Sequence, residues 1–415
     1  MRHGKRTVSG ALILAACLLP GIVAAAEPAK KAVPAKITVT FPLGTATPSE
    51  VCGDCHKAIY GEHSHGFGSD NPAMSIMTSA WKNRTSLSPT ARGSSHALAG
   101  VDLFPLHSRD AEEEGKSCNS CHFPKAYILP DLDVAEVTKP NPRDKKDEFG
   151  GLTCASCHLT PEGKVRAPYN LRAPHENFPD ARMKSSVLCA TCHSLGKRVV
   201  GKQDQTYLEW RDDYWRKGLG YSCQQCHMPR TNRQLSEEYD VPDRVVARHL
   251  WTGGRSLQRL QSALSQAVVI PQPGSSKLEI HLLNIGAGHS VPTGSSRRGV
   301  YLQAEIRDAQ GKVAAHQEWL FAPSYGARPD DRKHLTEDKT RLDAVAVMQA
   351  DAQGPHEPII RAGEERIIRW SPPLKPGVYT LTTRLLYDLN RYNDRNISDD
   401  QKLMGSAETS ITVTN

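Results

Sequence analysis

Hydrophobic and polar positions divide the chain into four stretches with different patterns. An apolar run from Val8 to Ala25 comes first, and a polar segment of mainly Ala, Lys, Pro and Thr follows at 27–48. Residues 49–256 are rich in Gly, Pro, Ser and charged side chains, so this region holds little apolar surface from which to build a core of its own. Short apolar runs return after residue 271. The pattern predicts a leader, a linker, a region that needs something other than its own side chains to form a core, and a C-terminal folded domain.

The C-terminal pattern predicts an all-β domain. Six short runs with β-type composition are predicted strands, namely 278–283, 299–306, 312–321, 365–370, 378–387 and 408–413. The tetrapeptide Asp308-Ala309-Gln310-Gly311 predicts a hairpin turn between the second and third of them. Such a series is typical of an antiparallel β-sandwich, which we assign to residues 271–415. The polar stretch 322–363 is predicted to be loop.

A different periodicity precedes this domain. Apolar residues recur at helical spacing between 242 and 268, with an interruption at Gly253-Gly254. We therefore predict helix in this stretch, with residues 257–270 forming a helical linker between the region 49–256 and the sandwich.

The first 26 residues have the organisation of a secretory signal peptide. Three cations precede the apolar run, and the small residues 24–26 form a cleavage site. Pro20 breaks the run, which favours cleavage over a retained membrane helix. Residues 14–17 offer an alternative, a lipoprotein cleavage box that would anchor the mature protein to a membrane through Cys17. We predict export, to the periplasm or the outside of the cell.

Ten of the eleven cysteines lie in five Cys-x-x-Cys-His motifs. The cysteine pairs of the first to fifth motifs are Cys52 and Cys55, Cys118 and Cys121, Cys154 and Cys157, Cys189 and Cys192, and Cys223 and Cys226, followed by His56, His122, His158, His193 and His227. This spacing attaches c-type haem, since two thioethers hold the porphyrin and the histidine ligates the iron. With 11 cysteines and 17 histidines in 415 residues, random placement predicts roughly 0.01 such motifs. The sequence predicts five covalently bound haems c.

Zinc and disulfides explain these motifs less well. Structural zinc takes four ligands, so five cysteine pairs cannot be shared evenly, and zinc gives no reason for a histidine after every second cysteine. Closely spaced cysteine pairs tend to form redox-active rather than structural bridges. The last three intervals between motifs, 36, 35 and 34 residues, predict a repeated unit of one short helix and one loop per haem. The porphyrins would supply the missing core.

The basic composition does not indicate a nucleic-acid partner. The formal charge of +7 becomes +4 once the three cations of the signal peptide are removed. Each bis-histidine haem with ionised propionates adds about −1 when ferric and about −2 when ferrous, which leaves the loaded protein near neutral or acidic. Arginine and lysine are instead available to pair with propionates.

Several segments resemble a family of exported multihaem c-type cytochromes. They are CGDCHKAIY at Cys52, GLTCASCH at Gly151, Leu188–Pro229 with LCATCH, TYLEW and CQQCHMP, RHLWTGG at Arg248 and NIGAGHSVPTG at Asn284. The resemblance covers most of residues 50–300. It implies a multihaem cytochrome c domain of short helices and loops at 49–256, with His65, His175 and His249 as distal iron ligands. A tryptophan common after the first motif in that family is His63 here, so His63 competes with His65.

Two irons then still need a distal ligand. We predict His96 and His107, which lie in the long interval before Cys118. His289 is the main alternative, because three glycines between 286 and 294 allow its loop to approach a haem closely.

Bis-histidine ligation fills both axial positions of an iron and favours electron transfer. The sequence therefore predicts a periplasmic or surface electron carrier, with a membrane quinol oxidase module, another cytochrome or a terminal reductase as redox partner. Two alternatives stay open. One is a reductase in which a single five-coordinate haem acts on a nitrogen or sulfur oxyanion. The other is a subunit of an extracellular cytochrome polymer or outer-membrane conduit, formed by self-association.

Overall fold

The structure, a computed structural model, describes residues 30–32, 49–65, 152–160, 162–194, 205–294, 298–323, 344–346, 350–351, 354–355, 359–389 and 401–414. The predicted signal peptide, the second motif Cys118–His122, and the candidate ligands His96 and His107 lie outside these residues. Within the described ranges, the helices are too short or too polar to cross a lipid bilayer.

Short helices carry the third, fourth and fifth motifs, as the repeated spacing predicts, while the first motif runs from the end of one helix to the residue before the next. The helices are α1 (Ser49–Gly53), α2 (Lys57–His65), α3 (Cys154–His158), α4 (Val187–His193), α5 (Thr206–Glu209), α6 (Cys223–His227) and α7 (Leu257–Ala263). A helical turn places positions i, i+3 and i+4 on one face, so both cysteines and the histidine of a motif point the same way. Reciprocal capping starts α3 and α6, because Ser156 and Gln225 accept hydrogen bonds from the backbone N–H groups of Thr153 and Ser222.

Two small sheets connect the motif helices. The parallel pair is β1 (Val165–Ala167) with β2 (Asn177–Pro179), and the antiparallel pair is β3 (Arg230–Arg233) with β4 (Arg244–Ala247). Lys31, in the predicted linker, forms a parallel bridge to Tyr239 in the connection between β3 and β4. The predicted linker therefore pairs with the motif region at this point.

The helix predicted between 242 and 268 is largely wrong. Helix is confined to α7, while β4 and β5 (Leu264–Val269) are strands. Both misassigned stretches contain adjacent valines, which favour extended backbone, and each finds an antiparallel partner elsewhere in the chain. Short apolar runs fit either periodicity, and long-range strand pairing decides between them. The sandwich accordingly begins at Leu264, inside the predicted helical linker.

Two sheets form the C-terminal region. The remaining strands are β6 (Leu278–Asn284), β7 (Gly299–Asp308), β8 (Val313–Phe321), β9 (Ala344–Ala346), β10 (Ala350–Asp351), β11 (Gly354–Pro355), β12 (Glu365–Trp370), β13 (Gly377–Asp388) and β14 (Gln401–Val413). One sheet has the order β12-β6-β5 and the other the order β14-β13-β7-β8-β9, while β10 and β11 pair separately. All six predicted strands are confirmed, as is the hairpin turn at Asp308–Gly311. Pairing is antiparallel except between β8 and β9, which is parallel.

Alternating side chains of both sheets fill one core. In β6, Leu278, Ile280 and Leu282 are buried and face buried residues of β7, β13 and β14 in one cluster. Trp319 of β8 meets Trp370 of β12 edge to face, with ring centroids 5.8 Å apart, so the two sheets are in direct contact. The C-terminal region thus has its own apolar core, whereas the motif region has few buried apolar side chains among its described residues.

Replacing Leu381 by Ala should destabilise the sandwich by about 2–5 kcal/mol, because this side chain is fully buried at the centre of β13. Leu403→Ala is the matched control, since Leu403 on the neighbouring strand β14 is 44% exposed. Guanidinium unfolding followed by far-ultraviolet circular dichroism measures both. Equal midpoints for the two variants would contradict the assigned core.

Candidate haem sites

Three motif histidines each face a second histidine from a distant part of the chain. We name each site after its motif, so that the first site contains His56. The ring centroids of His56 and His175 lie 6.5 Å apart at the first site. Those of His158 and His249 lie 6.0 Å apart at the third site, and those of His227 and His289 lie 6.1 Å apart at the fifth. Each site thus combines a motif histidine with one that is 62 to 119 residues away in the sequence.

These separations match the geometry of an iron with two axial imidazoles. A metal–imidazole bond is about 2 Å long and the ring adds about 1 Å on each side, so two imidazoles on opposite sides of one metal have centroids about 6 Å apart. Imidazoles in direct contact would lie closer together. The donor set therefore fits a haem between each pair, attached through the cysteines of the adjacent motif.

Hydrogen bonds to backbone carbonyl groups engage Nδ1 of the three motif histidines. Nδ1 of His56 lies 2.7 Å from the carbonyl oxygen of Leu235, and Nδ1 of His158 lies 2.8 Å from that of Arg166. Nδ1 of His227 bonds to the carbonyl of Thr252. A carbonyl only accepts, so Nδ1 must carry the proton, which leaves the lone pair on Nε2 available to a metal.

The partner histidines His249 and His289 are oriented in the same way. Their Nδ1 atoms lie 3.1 Å and 2.9 Å from the carbonyl oxygens of Ala247 and Ser290. Burial, together with the facing His158, lowers the pKa of His249 to about 3. Burial likewise lowers the pKa of His227 to about 4. Both rings are neutral at neutral pH, which is the protonation state that a metal ligand requires.

One serine hydroxyl connects the first motif to the third, and another connects the fourth motif to the fifth. Ser49 lies three residues before the first motif, and its Oγ accepts a hydrogen bond of 3.1 Å from the backbone N–H of Cys154 in the third. Ser186 lies three residues before the fourth motif, and its Oγ accepts one of 2.9 Å from the N–H of Cys223 in the fifth. The thiols of Cys189 and Cys223 are hydrogen-bonded to each other. Groups attached at these two cysteines would therefore lie side by side.

A buried ion cluster connects the first site to the third. Both carboxylate oxygens of Glu62, on α2, accept hydrogen bonds of 2.8 Å from the guanidinium of Arg233 on β3. Arg248 donates a third at 2.6 Å, and the backbone N–H of His249 donates a fourth at 3.0 Å. Burial opposes ionisation, but these hydrogen bonds outweigh it and lower the pKa of Glu62. The cluster fixes the backbone that carries His249 against the helix that follows His56.

A second buried ion pair supports His158. Arg166, whose carbonyl accepts the hydrogen bond from His158, has a fully buried side chain that donates from Nε to Asp180 at 2.8 Å. Hydrogen bonds from Arg182, with help from Arg166, hold the pKa of Asp180 well below its usual range. His175 lies in the segment between Arg166 and Asp180. One ion pair therefore stabilises the segment that serves both the first and the third site.

The structure places the other candidate ligands as follows. His63 is buried, and its Nε2 donates to the carbonyl oxygen of Leu152 at 2.9 Å, so this nitrogen points at the chain before the third motif. His65 ends α2, and its side chain lies outside the described residues. His193 belongs to α4. The eight described motif cysteines form no disulfide with one another.

Sequence reasoning missed the residues that hold the ligands in place. Glu62, Arg233, Asp180 and Arg166 had no pattern to distinguish them from surface charges. The serines were visible, since Ser49 and Ser186 occupy the same position relative to their motifs. Aligning the motifs on each other would have revealed this repeat.

A solved penta-heme cytochrome c552 from Thermochromatium tepidum is similar in structure to this chain. The TM-score is 0.52 at 18% sequence identity, and the match covers 88% of this chain and 99% of that one. At this identity the likeness shows the fold, which is that of a penta-heme cytochrome over most of the chain. It supports the multihaem cytochrome fold that the motifs predict.

Part of the chain also aligns with glycosidases. A glycosyl hydrolase family 2 member from Bacteroides cellulosilyticus matches 36% of this chain and 15% of its own, with a TM-score of 0.17 and 17% identity. The β-glucuronidase 2 of Bacteroides uniformis matches 36% and 13%, with a TM-score of 0.18 and 11% identity. Scores this low carry no functional argument. No protein-family model and no curated protein sequence matches the chain.

Replacing Glu62 by Gln should destabilise the loaded protein by about 2 kcal/mol at neutral pH, because two arginines that partly reach solvent lose their buried counter-charge. Glu237→Gln makes the same change at an exposed carboxylate and should have little effect. Denaturation followed by the Soret absorption band measures both.

The destabilisation caused by Glu62→Gln should also depend on pH. The folded pKa of Glu62 is lowered, so its ionised form stabilises the fold above the unfolded pKa of about 4.3, and this stabilisation is lost as the pH falls through the folded pKa. The difference between wild type and Glu62→Gln should therefore shrink below about pH 4.3. A difference that is constant across this range would show that Glu62 is not ionised in the cluster.

Proposed function

We propose that this protein is a c-type cytochrome that carries electrons through five covalently attached haems. The single observation that carries the proposal is the set of facing histidine pairs, each at the separation that one iron between them requires. In this proposal His175, His249 and His289 are the distal ligands of the first, third and fifth irons. His65, His96 and His107 are the candidates for the second and fourth.

The proposed role follows from what the ligand residues do. A bound haem supplies a ferric–ferrous couple that takes up and releases one electron. Backbone hydrogen bonds and a buried ion pair hold His158 and His249, the residues that would ligate the third iron, and this would keep their positions similar in both oxidation states. An iron held by two such histidines would leave no site for a substrate. These features support electron transfer over chemistry on a bound substrate.

The serine contacts suggest the order in which electrons travel. The first and third motifs touch through Ser49, and the fourth and fifth touch through Ser186 and through the contact between Cys189 and Cys223. Transfer within each of these pairs would be the shortest step. The paired motifs thus form two units of the electron path that we propose.

Export and partners belong to the same proposal. Haem is attached to Cys-x-x-Cys-His motifs outside the cytoplasmic membrane, which agrees with the signal peptide that the first 26 residues predict. A membrane quinol oxidase module, another cytochrome or a terminal reductase would exchange electrons with the protein. The sandwich would brace the haem region or dock such a partner.

The matured protein should contain five haems per chain and only low-spin iron. Pyridine haemochrome analysis gives the haem count, and electron paramagnetic resonance of the oxidised protein gives the spin state. A high-spin signal that shifts on addition of nitrite or hydroxylamine would instead support a reductase of small oxyanions. Fewer than five haems would contradict the proposed assignment of the motifs.

Replacing His249 by Met should raise the reduction potential of one haem, because a thioether ligand favours ferrous iron. The control is His281→Met, since His281 lies on the sandwich between Glu279 and Glu365 and faces none of the motif histidines described above. Potentiometric titration of the visible spectrum resolves the change. A titration of His249→Met that matches the control would remove His249 from the third site.

A further inference from the structure

The loop that carries His289 is fastened to the motif region by one carboxylate. This loop, residues 285–294, follows β6 of the sandwich, while Glu209 is the last residue of α5. Oε2 of Glu209 accepts a hydrogen bond from the backbone N–H of Ser290 at 3.2 Å and another from the hydroxyl of Thr293 at 2.7 Å. The hydroxyl oxygens of Thr293 and Thr206 lie 2.8 Å apart. Contacts from α5 therefore hold the chain directly after His289.

The base of the same loop is fixed by the sandwich. The side-chain amide of Asn284 donates to the carbonyl oxygen of His289 at 2.9 Å and to that of Ile360 at 3.0 Å. A Cβ atom at Gly286 would lie 1.6 Å from the carbonyl oxygen of Ser262, so only glycine allows this approach. The loop is thus held at its base by the sandwich and at its far end by Glu209.

We propose that Glu209 is a positioning residue for His289. Its carboxylate keeps the His289 ring 6.1 Å from the His227 ring, with the two planes only 13° apart, and so keeps the sixth position of the fifth iron closed to added ligands. The inference rests on the proposed function, because it takes His289 as a distal ligand.

The physical reason is the local concentration of imidazole. A tethered ligand rebinds its metal faster than a free ligand can enter, as long as the tether holds the ligand in reach. Asn284 and the backbone pairing of Val291 with Ile360 hold the loop to the sandwich. Glu209 adds a charged acceptor on the side of the motif region, where it bonds to the backbone one residue after His289. Without this bond the segment that follows His289 has more freedom to move away from the motif region.

Carbon monoxide is the probe, since it binds ferrous haem only where the sixth position opens. The full, haem-loaded chain is compared as wild type, Glu209→Leu, Glu209→Gln and Thr293→Val, with Glu408→Leu as a control at an exposed carboxylate on β14. Glu209→Leu should bind carbon monoxide at one haem at least about tenfold faster than wild type, because two hydrogen bonds to a charged acceptor are lost. Glu209→Gln keeps an acceptor oxygen and should restore slow binding.

Thr293→Val repeats the test with a smaller change, in case the Glu209→Leu variant does not fold with its haems attached. It removes one hydroxyl and should give an intermediate rate. Binding at the control rate in both variants would overturn the role of Glu209.

The variant His289→Ala separates this inference from the proposed function. It should give one haem that is high-spin and binds carbon monoxide at once. If it does not, His289 is not the ligand and the proposed pairing of the fifth site fails. If it does, while Glu209→Leu behaves like Glu408→Leu, the pairing stands and the positioning role of Glu209 is wrong.

Discussion

Pairs of imidazoles face each other at the separation that one metal ion between them would need, and the rest of the described motif region is arranged around these pairs. The partners come from segments that are far apart in the sequence, so the chain has to cross itself to bring them together. At the first and third sites the crossing uses the small sheets β1–β2 and β3–β4. At the fifth site it uses a loop of the sandwich. Among the described residues few buried apolar side chains support these crossings, so hydrogen bonds and ion pairs are the main contacts there.

Buried charges replace part of the missing apolar core. Glu62 with its two arginines, and Asp180 with Arg166 and Arg182, each lie beside a histidine pair. Breaking such a pair leaves an uncompensated charge, which makes the local arrangement specific even where its net contribution to stability is small. The fields of these clusters would also reach irons bound at the proposed sites, and so would contribute to their reduction potentials.

The sequence predicted the parts of the fold that depend on local pattern. The strands at Leu278, Gly299 and Glu365 were visible because residues alternate along them, and the motif helices followed from the spacing of cysteine and histidine. The strands β4 and β5 were missed because each is defined by a partner far away in the chain. His175 and His249 were expected from family resemblance, and both face a motif histidine, whereas the motif histidine that each one faces could not be known.

His289 illustrates most clearly what could not be predicted from the sequence. The glycines of its loop indicated a close approach, but an isolated histidine next to glycines is as compatible with a simple turn. Its loop is held by Asn284 and Glu209, and no pattern in the sequence joins Glu209 to His289. Long-range hydrogen bonds of this kind carry no local signature, so a structure is needed to find them.

The use of a sandwich loop at the fifth site has a consequence for biogenesis. If the protein is exported from its N-terminus as proposed, His175 and His249 would emerge before the sandwich, and the proposed first and third sites would have their ligands early. The fifth site would stay incomplete until the loop after β6 had emerged and docked. Correct coordination there would report that the C-terminal half has been exported intact, and a prematurely terminated chain would keep one reactive iron.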